Sequence, residues 1–240
     1  MKFSLNIIDW QARAPGLSDA ADWRAWAQQD REIDPASPYA KPSELPMMTS
    51  RRLNSGSRLA VDSGLAMLRR HAPDAVLFTS RHGELERNLR ILDAIAAAQP
   101  ISPTDFAMSV HNSSVGNLTI TAKQPLTSSS LSAGQDTFQQ GLIEALTLFQ
   151  AGYQRVLMVD FDGLLPGFYH PHLPADMPTW AWSLALVLEA GEALRCETHS
   201  RDERREAPLP QGLQFLRGWL KNDAAFSVDG ERAEWRWSKS

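Results

Sequence analysis

Three short, nearly unbroken apolar runs constrain this chain more than any other feature: Ala75–Thr79, Val156–Asp160 and Leu184–Leu188. Each is too short for a stable helix and lacks the alternating polar positions of a half-exposed strand, so each fits a strand covered on both faces. Helix-length stretches separate them. Gly83–Ala98 sets Leu85, Leu89, Leu92 and Ile95 on one face, with Glu84 and Glu86 placed to favour its positive N-terminal end. Gln135–Ala151 carries the stripe Phe138, Leu142, Leu146 and Phe149, and Gly152 follows where a helix-ending glycine is expected. Ser57–His71 is a third helix, stopped by Pro73 and Asp74. Covered strands alternating with helices predict an α/β fold with a largely parallel central sheet.

The remaining segments fill in around this frame. Phe3–Ile8 and Thr127–Leu131 read as strands, the second despite its serines, whereas His111–Thr121 is ambiguous between helix and strand. Pro35–Pro46 reads as an irregular surface segment. Beyond a charged loop at Arg201–Glu206, the spacing of Leu213, Leu216, Trp219 and Leu220 predicts an amphipathic helix. After the Asp229-Gly230 turn signal, Ala233, Trp235 and Trp237 alternate with Glu234 and Arg236, as in a half-buried strand. These tryptophans, with Trp10, Trp23 and Trp26 near the first strand, are expected core or interface anchors.

Composition excludes several classes. At 240 residues and 43% hydrophobic, the chain suffices for one large domain or two small ones. A net charge of -4 gives no basic field for nucleic acid, and the arginines of Arg201–Arg205 are interleaved with acids. No apolar stretch is long enough to span a bilayer, and the first residues lack a signal-peptide pattern. The lone Cys196 allows no intramolecular disulfide, which fits a reducing compartment; the expectation is a cytoplasmic protein.

Several segments resemble, in order, the N-terminal half of condensing enzymes. Arg51-Arg52-Leu53 and Ser57-Arg58-Leu59-Ala60 match an arginine-rich helix entry, and Val76–Thr79 with Gly83-Glu84-Leu85-Glu86 match a strand and its following helix. Ser109-Val110-His111-Asn112-Ser113 and Gly116-Asn117-Leu118 match the segment that precedes the nucleophile. The serine-rich stretch, the helix ending at Gly152, Val156–Asp160 and Ala185–Glu189 complete the series over roughly residues 1 to 190. The family is that of the β-ketoacyl synthase-like enzymes. The Ser-Val-His-Asn phrase resembles a short, chain-length-factor-like branch that accompanies type II synthases of aryl polyene pigments. The resemblance implies half of a thiolase-like fold: a single layered α/β/α domain over residues 1–240 with a mixed, largely parallel sheet, residues 190–240 forming a C-terminal capping segment.

The chemistry such an enzyme needs is missing. Condensation requires a thiolate at a helix N-terminus, two imidazoles and an oxyanion hole. Counting back from Gly152 puts the nucleophile position at or very near Gln135, with no cysteine nearby and Phe138 where the family usually has glycine. Past Glu189 the chain offers only His199. Glutamine cannot form an acyl thioester. The resemblance therefore implies a subunit without catalytic residues or cofactor, paired in a heterodimer with a catalytic ketosynthase. An acyl carrier protein would be served through that complex, and Ser109, His111, Asn112 and Phe138 would lie at the interface or tunnel.

Other readings coexist with this one. Ser132-Ala133-Gly134-Gln135 also fits a capping box in which Gln135 closes the helix N-terminus. Ser132, or one of Ser128–Ser130, is an alternative nucleophile with His111 as base, although no Gly-x-Ser-x-Gly elbow surrounds them. The matching function is a stand-alone acyl hydrolase or malonyl decarboxylase acting on acyl carrier protein thioesters. His170-Pro171-His172 with Asp160 and Asp162 supplies metal-ligand types, but the proline and the loop composition favour an ordinary surface turn, and no metal is expected.

Overall fold

A computed structural model describes residues 1–174, 177–221 and 223–240. The chain begins with β1 (Lys2–Arg13) and α1 (Ala20–Gln28), crosses an irregular stretch to α2 (Met47–Ser50), and continues through α3 (Ser55–His71), β2 (Ala75–Thr79), α4 (Leu85–Ala96), α5 (Pro103–Ala107) and α6 (Ser113–Ala122). Then come β3 (Thr127–Leu131), α7 (Thr137–Gln150), β4 (Arg155–Asp162), β5 (Trp182–Ser200), α8 (Gln211–Leu220), β6 (Ala225–Asp229) and β7 (Ala233–Lys239). All seven strands join one sheet in the order β3-β2-β4-β5-β7-β6, with β1 also paired to β5.

The apolar runs are covered on both sides, as their composition requires. Every residue of β2 is buried, and β4 is buried from Val156 onward. Alternate side chains serve opposite layers. Val76, Phe78, Leu157 and Val159 pack with Leu65 and Leu68 of α3 and Leu118 of α6. Leu77, Met158, Leu184 and Leu186 pack with Phe138 and Leu142 of α7, Leu213 and Phe215 of α8, and Trp23 and Trp26 of α1. Each such side chain contributes about 1.5–3 kcal/mol on leaving water, which fixes both helical layers on the sheet.

Several details depart from the sequence reading. The sheet is mixed, as expected, but its parallel ladders are confined to β3-β2-β4; β4-β5, β1-β5, β5-β7 and β6-β7 are antiparallel. The run Leu184–Leu188 lies in the continuously buried first part of a 19-residue strand, whose more polar second half is held by β1 and β7. The ambiguous segment after His111 is the helix α6. The apolar stripe of α4 is largely uncovered, with Leu92 52% and Ile95 57% exposed, because α4 packs on α5 rather than on the sheet. Glu84 does not cap α4 through its side chain. Its buried carboxylate accepts from Asn54 Nδ2 at 2.8 Å, from Ser114 Oγ at 3.0 Å and from the Ser57 hydroxyl, joining the first turns of α3 and α6. The expected C-terminal helix and strand are present as α8 and β7, with the short β6 beside β7.

Candidate functional site

The resemblance puts the nucleophile position at the start of α7. A short 3-10 turn, Gly134–Asp136, leads into the helix, and Gly134 takes a φ of +59°, open to glycine at little cost. Thr137 organises this turn: its Oγ1 accepts from Ala133 N at 2.9 Å and donates to Gly134 O at 2.6 Å. The Ser132–Gln135 capping box is therefore not formed. Ser132 is exposed and donates to Arg81 O at 3.3 Å, whereas Gln135 Nε2 donates to the carbonyl of Arg205 at 2.6 Å. The side chain of Gln135 thus serves a contact 70 residues away in the chain instead of its own helix.

Behind Gln135 lies a cavity of about 50 Å³, bordered by Phe138, Leu165, Trp180, Trp182, Asp160 and Asp162 among others. That is room for a few water molecules. Asp160 and Asp162 sit two apart at the end of β4, so their side chains point to the same face. Thr79 Oγ1 donates to Asp160 Oδ1 at 2.6 Å; Ser80 Oγ and His82 N donate to Asp162 Oδ1 at 2.7 and 2.8 Å. Burial pushes both carboxyls up, that of Asp160 well above the usual carboxylate range, while the Thr79 hydrogen bond opposes the shift at Asp160 and the charge of His82 opposes it at Asp162. Burial likewise lowers His82, against the pull of Asp162. Sequence reasoning treated these aspartates only as metal-ligand types. The signal that marks them is two carboxylates at alternate positions ending an otherwise apolar strand.

The cavity is closed by the C-terminal segment. Phe215 of α8 rests on Phe138 with ring centroids 5.1 Å apart. Gln211 Nε2 donates to Asp136 Oδ1 at 2.8 Å and to Asp229 O at 3.1 Å, and its Oε1 accepts from Gln139 N at 3.3 Å. The layer formed by α8 therefore stands over the first turn of α7.

The other candidate residues form a separate group. Ser109, His111 and Asn112 lie on the connection between α5 and α6. His111 Nε2 donates to Ser80 O at 3.0 Å, and its Nδ1 is 2.6 Å from Ser130 Oγ on β3. His111 and Ser130 are thus brought together as the base-and-serine reading requires, but neither borders the cavity, and Ser132 is not the serine His111 contacts. Ser109 Oγ donates to Phe106 O at 2.8 Å, and Asn112 starts α6 without a side-chain cap. Beside this group, β3 is an edge of the sheet, and Phe106, Val110 and Ile120 are exposed by 67%, 49% and 76%.

His170 Nε2 donates to Leu165 O at 2.8 Å, and among the described residues no three His, Cys, Asp or Glu side chains converge as metal ligands. His199 is on β5 opposite Glu234, and Cys196 is on the same strand opposite Trp237. Burial pushes the Cys196 thiol up to about 12, leaving it a poor nucleophile. No described helix is long and apolar enough to cross a membrane.

Comparison with known proteins bears on this arrangement. Residues 23–238 match the family described as beta-ketoacyl synthase, N-terminal domain. The chain is 57% identical to a chain in a structure of a ketosynthase in complex with its chain length factor from Xenorhabdus doucetiae, over 99% of this chain and 100% of that one, with a TM-score of 0.95. Two further structures share the fold at lower identity. The ishigamide ketosynthase/chain length factor is 15% identical over 83% of this chain and 68% of that one, with a TM-score of 0.65. A beta-ketoacyl synthase from Burkholderia phymatum is 14% identical over 83% of this chain and 65% of that one, with a TM-score of 0.60. No curated protein matches the chain in sequence. The fold is thus the thiolase-like one of ketosynthases.

Proposed function

Since the chain belongs to the beta-ketoacyl synthase N-terminal-domain family, we propose that it is a chain-length-factor-like subunit with no acyl-transfer chemistry of its own. One observation carries this reading. The turn leading into α7 holds Gln135, spent on the Arg205 carbonyl, beneath the covering α8, while the sole thiol is buried on β5. An acyl thioester has no sulfur to form on.

The partner is a catalytic ketosynthase, and its docking face is the sheet edge at β3. That strand is paired only with β2; α6, which carries the exposed Ile120, packs beside it, and the exposed Phe106 and Val110 precede α6 in the chain. An open strand edge beside exposed apolar side chains is a surface that proteins normally cover. Ser109, His111 and Asn112 lie at this face and bear on the tunnel that holds the growing chain; Phe138, buried on the far side of the sheet, supports the fold instead. Residues 1–240 act as one domain, the carrier protein is served through the complex, and the pathway is of the aryl polyene type. Co-expression with a catalytic ketosynthase from the same organism tests the reading. The expected result is a heterodimer by mass, with condensing activity that requires this chain but survives Gln135→Ala. Condensation at full rate by the ketosynthase alone overturns it.

A second reading has one observation in its favour, the 2.6 Å contact of His111 with Ser130. It gives an acyl hydrolase or decarboxylase acting on carrier-protein thioesters. Hydrolysis of such a thioester by the purified chain, abolished by Ser130→Ala, supports this alternative; an inert chain removes it.

A further inference from the structure

The 50 Å³ cavity that holds Asp160 and Asp162 has a larger neighbour. An open groove of about 840 Å³ runs along Trp26, Ile33, Arg217 and Phe226. The two share a wall formed by Met177, Pro178, Trp180, Ala207, Pro208, Leu209 and Gln214. Three of these, Ala207–Leu209, belong to the stretch 201–210, which is neither helix nor strand. On the body side this stretch is fastened by Gln135 Nε2 to Arg205 O at 2.6 Å, by Arg81 to Glu206 at 2.6 Å and by Gln214 Nε2 of α8 to Leu209 O at 2.7 Å, and Leu209 packs against the core. On the hairpin side it is fastened by Arg201 to Asp229 at 2.6 Å, Arg204 to Glu231 at 2.6 Å, and Arg205 N to Glu231 O at 3.0 Å.

We propose that residues 201–210 are a strap, latched by Gln135 and Arg81, whose release opens the Asp160–Asp162 cavity to the adjoining groove. The physical case is a contrast of strengths. Apart from the Gln214 contact to α8, the latches are one hydrogen bond and one ion pair whose side chains are about a third exposed. Solvent-exposed ion pairs contribute about 0–1 kcal/mol. The elements around the strap are held by buried aromatics: Phe138 on Phe215, and Phe215 on Trp237 at 5.0 Å. The strap is therefore the weakest wall of the cavity, and local opening concentrates where few buried contacts hold the chain. Behind it are two carboxyls deprived of water, which gain hydration when the wall opens. Opening joins the pocket and the groove into one continuous compartment, with the carboxyls at its inner end and Trp180 and Leu209 along its side.

The strap does not depend on any partner, so its test uses the full chain alone. Hydrogen exchange of the 201–210 segment is measured with carbodiimide-driven amide labelling of Asp160, read by mass spectrometry, for the native chain and for Gln135→Ala/Glu206→Ala. The double variant is expected to label Asp160 at least tenfold faster and to exchange faster over 201–210, with its melting transition unchanged. The native chain is expected to respond in the same direction in 1 M salt, which screens the Arg81–Glu206 pair to a Debye length of about 3 Å. Unchanged exchange over 201–210 in the variant shows that these latches do not hold the strap. Faster strap exchange with Asp160 labelling unchanged shows that the strap is not the door. Either result overturns the proposal.

Discussion

The backbone of Gly212 stands directly against the carboxylate of Asp160: a β-carbon at position 212 would lie 2.4 Å from Asp160 Oδ2, 3.2 Å from Trp182 and 3.3 Å from Phe138. The first turn of α8 approaches β4 this closely only because residue 212 has no side chain. Gly212→Ala is expected to push α8 outward and cost about 1–3 kcal/mol, the usual range for overpacking a filled interior. Gly116, inside α6, makes the opposite case, since nothing lies within 4 Å of its would-be β-carbon. Gly116→Ala is expected to stabilise by about 0.4–1 kcal/mol through the unfolded chain. Urea unfolding of the isolated chain measures both, and a Gly212→Ala midpoint equal to that of the native chain would remove the close approach from the account.

The same carboxylate sets a pH dependence. Burial raises Asp160 well above the usual range, so the folded state keeps this proton after the unfolded state has lost it near about pH 4. Stability linked to this group is complete below that point and declines as pH rises toward the folded value. Asp160→Asn preserves an acceptor for Thr79 Oγ1 and removes the titration. The variant is expected to melt higher than the native chain near neutrality, with the gap closing toward about pH 4. Asp162 and His82 remain in both proteins, so the difference reports Asp160 together with its repulsion of Asp162. A gap that widens on acidification contradicts the sign.

A different aspartate holds the irregular N-terminal crossing. Asp62, in the middle of α3, accepts from Glu44 N at 2.8 Å, Leu45 N at 2.9 Å and Ser43 N at 3.2 Å, and pairs with Arg13 at 2.8 Å. Both charged side chains are almost fully buried. Removing one partner leaves the other charge buried and uncompensated, a loss of about 3–5 kcal/mol. Asp62→Ala is accordingly expected to lower the unfolding free energy by that amount and to increase hydrogen exchange at residues 43–45. Denaturant unfolding with exchange mapping checks both effects together.

These cases also show what the sequence made legible. Ala75–Thr79 and Thr127–Leu131 coincide with strands because a short run between turn signals has few alternatives. The polar half of β5 carried no such mark: its pairing with β1 and β7 is a property of distant partners. The stripe of α4 was read correctly as amphipathic but not as uncovered, since periodicity gives a face and not its occupant. Position 135 was legible as a place without a thiol; its hold on Arg205 was not, because the acceptor is a backbone carbonyl and carries no residue signature. Asp160 and Asp162 became a site only through the burial that the fold imposes.

The uncovered face near β3 gives the last prediction. Ile120 is 76% exposed although it is a branched apolar residue inside a helix, and Phe106, 67% exposed, lies on the preceding helix. Neither supports the interior of the isolated chain, so Ile120→Glu should leave its melting temperature within about 1–2 °C of the native value, the response expected of a surface change below about 0.5 kcal/mol. In a heterodimer the same charge would be desolvated against the ketosynthase, and burying an unpaired carboxylate is costly. Affinity for the ketosynthase is expected to fall at least about tenfold, which is 1.4 kcal/mol of binding free energy. Phe106→Glu should act in the same direction, and calorimetric titration of each variant with the ketosynthase gives the comparison. Undiminished binding by both variants would move the docking face away from β3, because a surface that tolerates two introduced carboxylates at its apolar positions is still in contact with water.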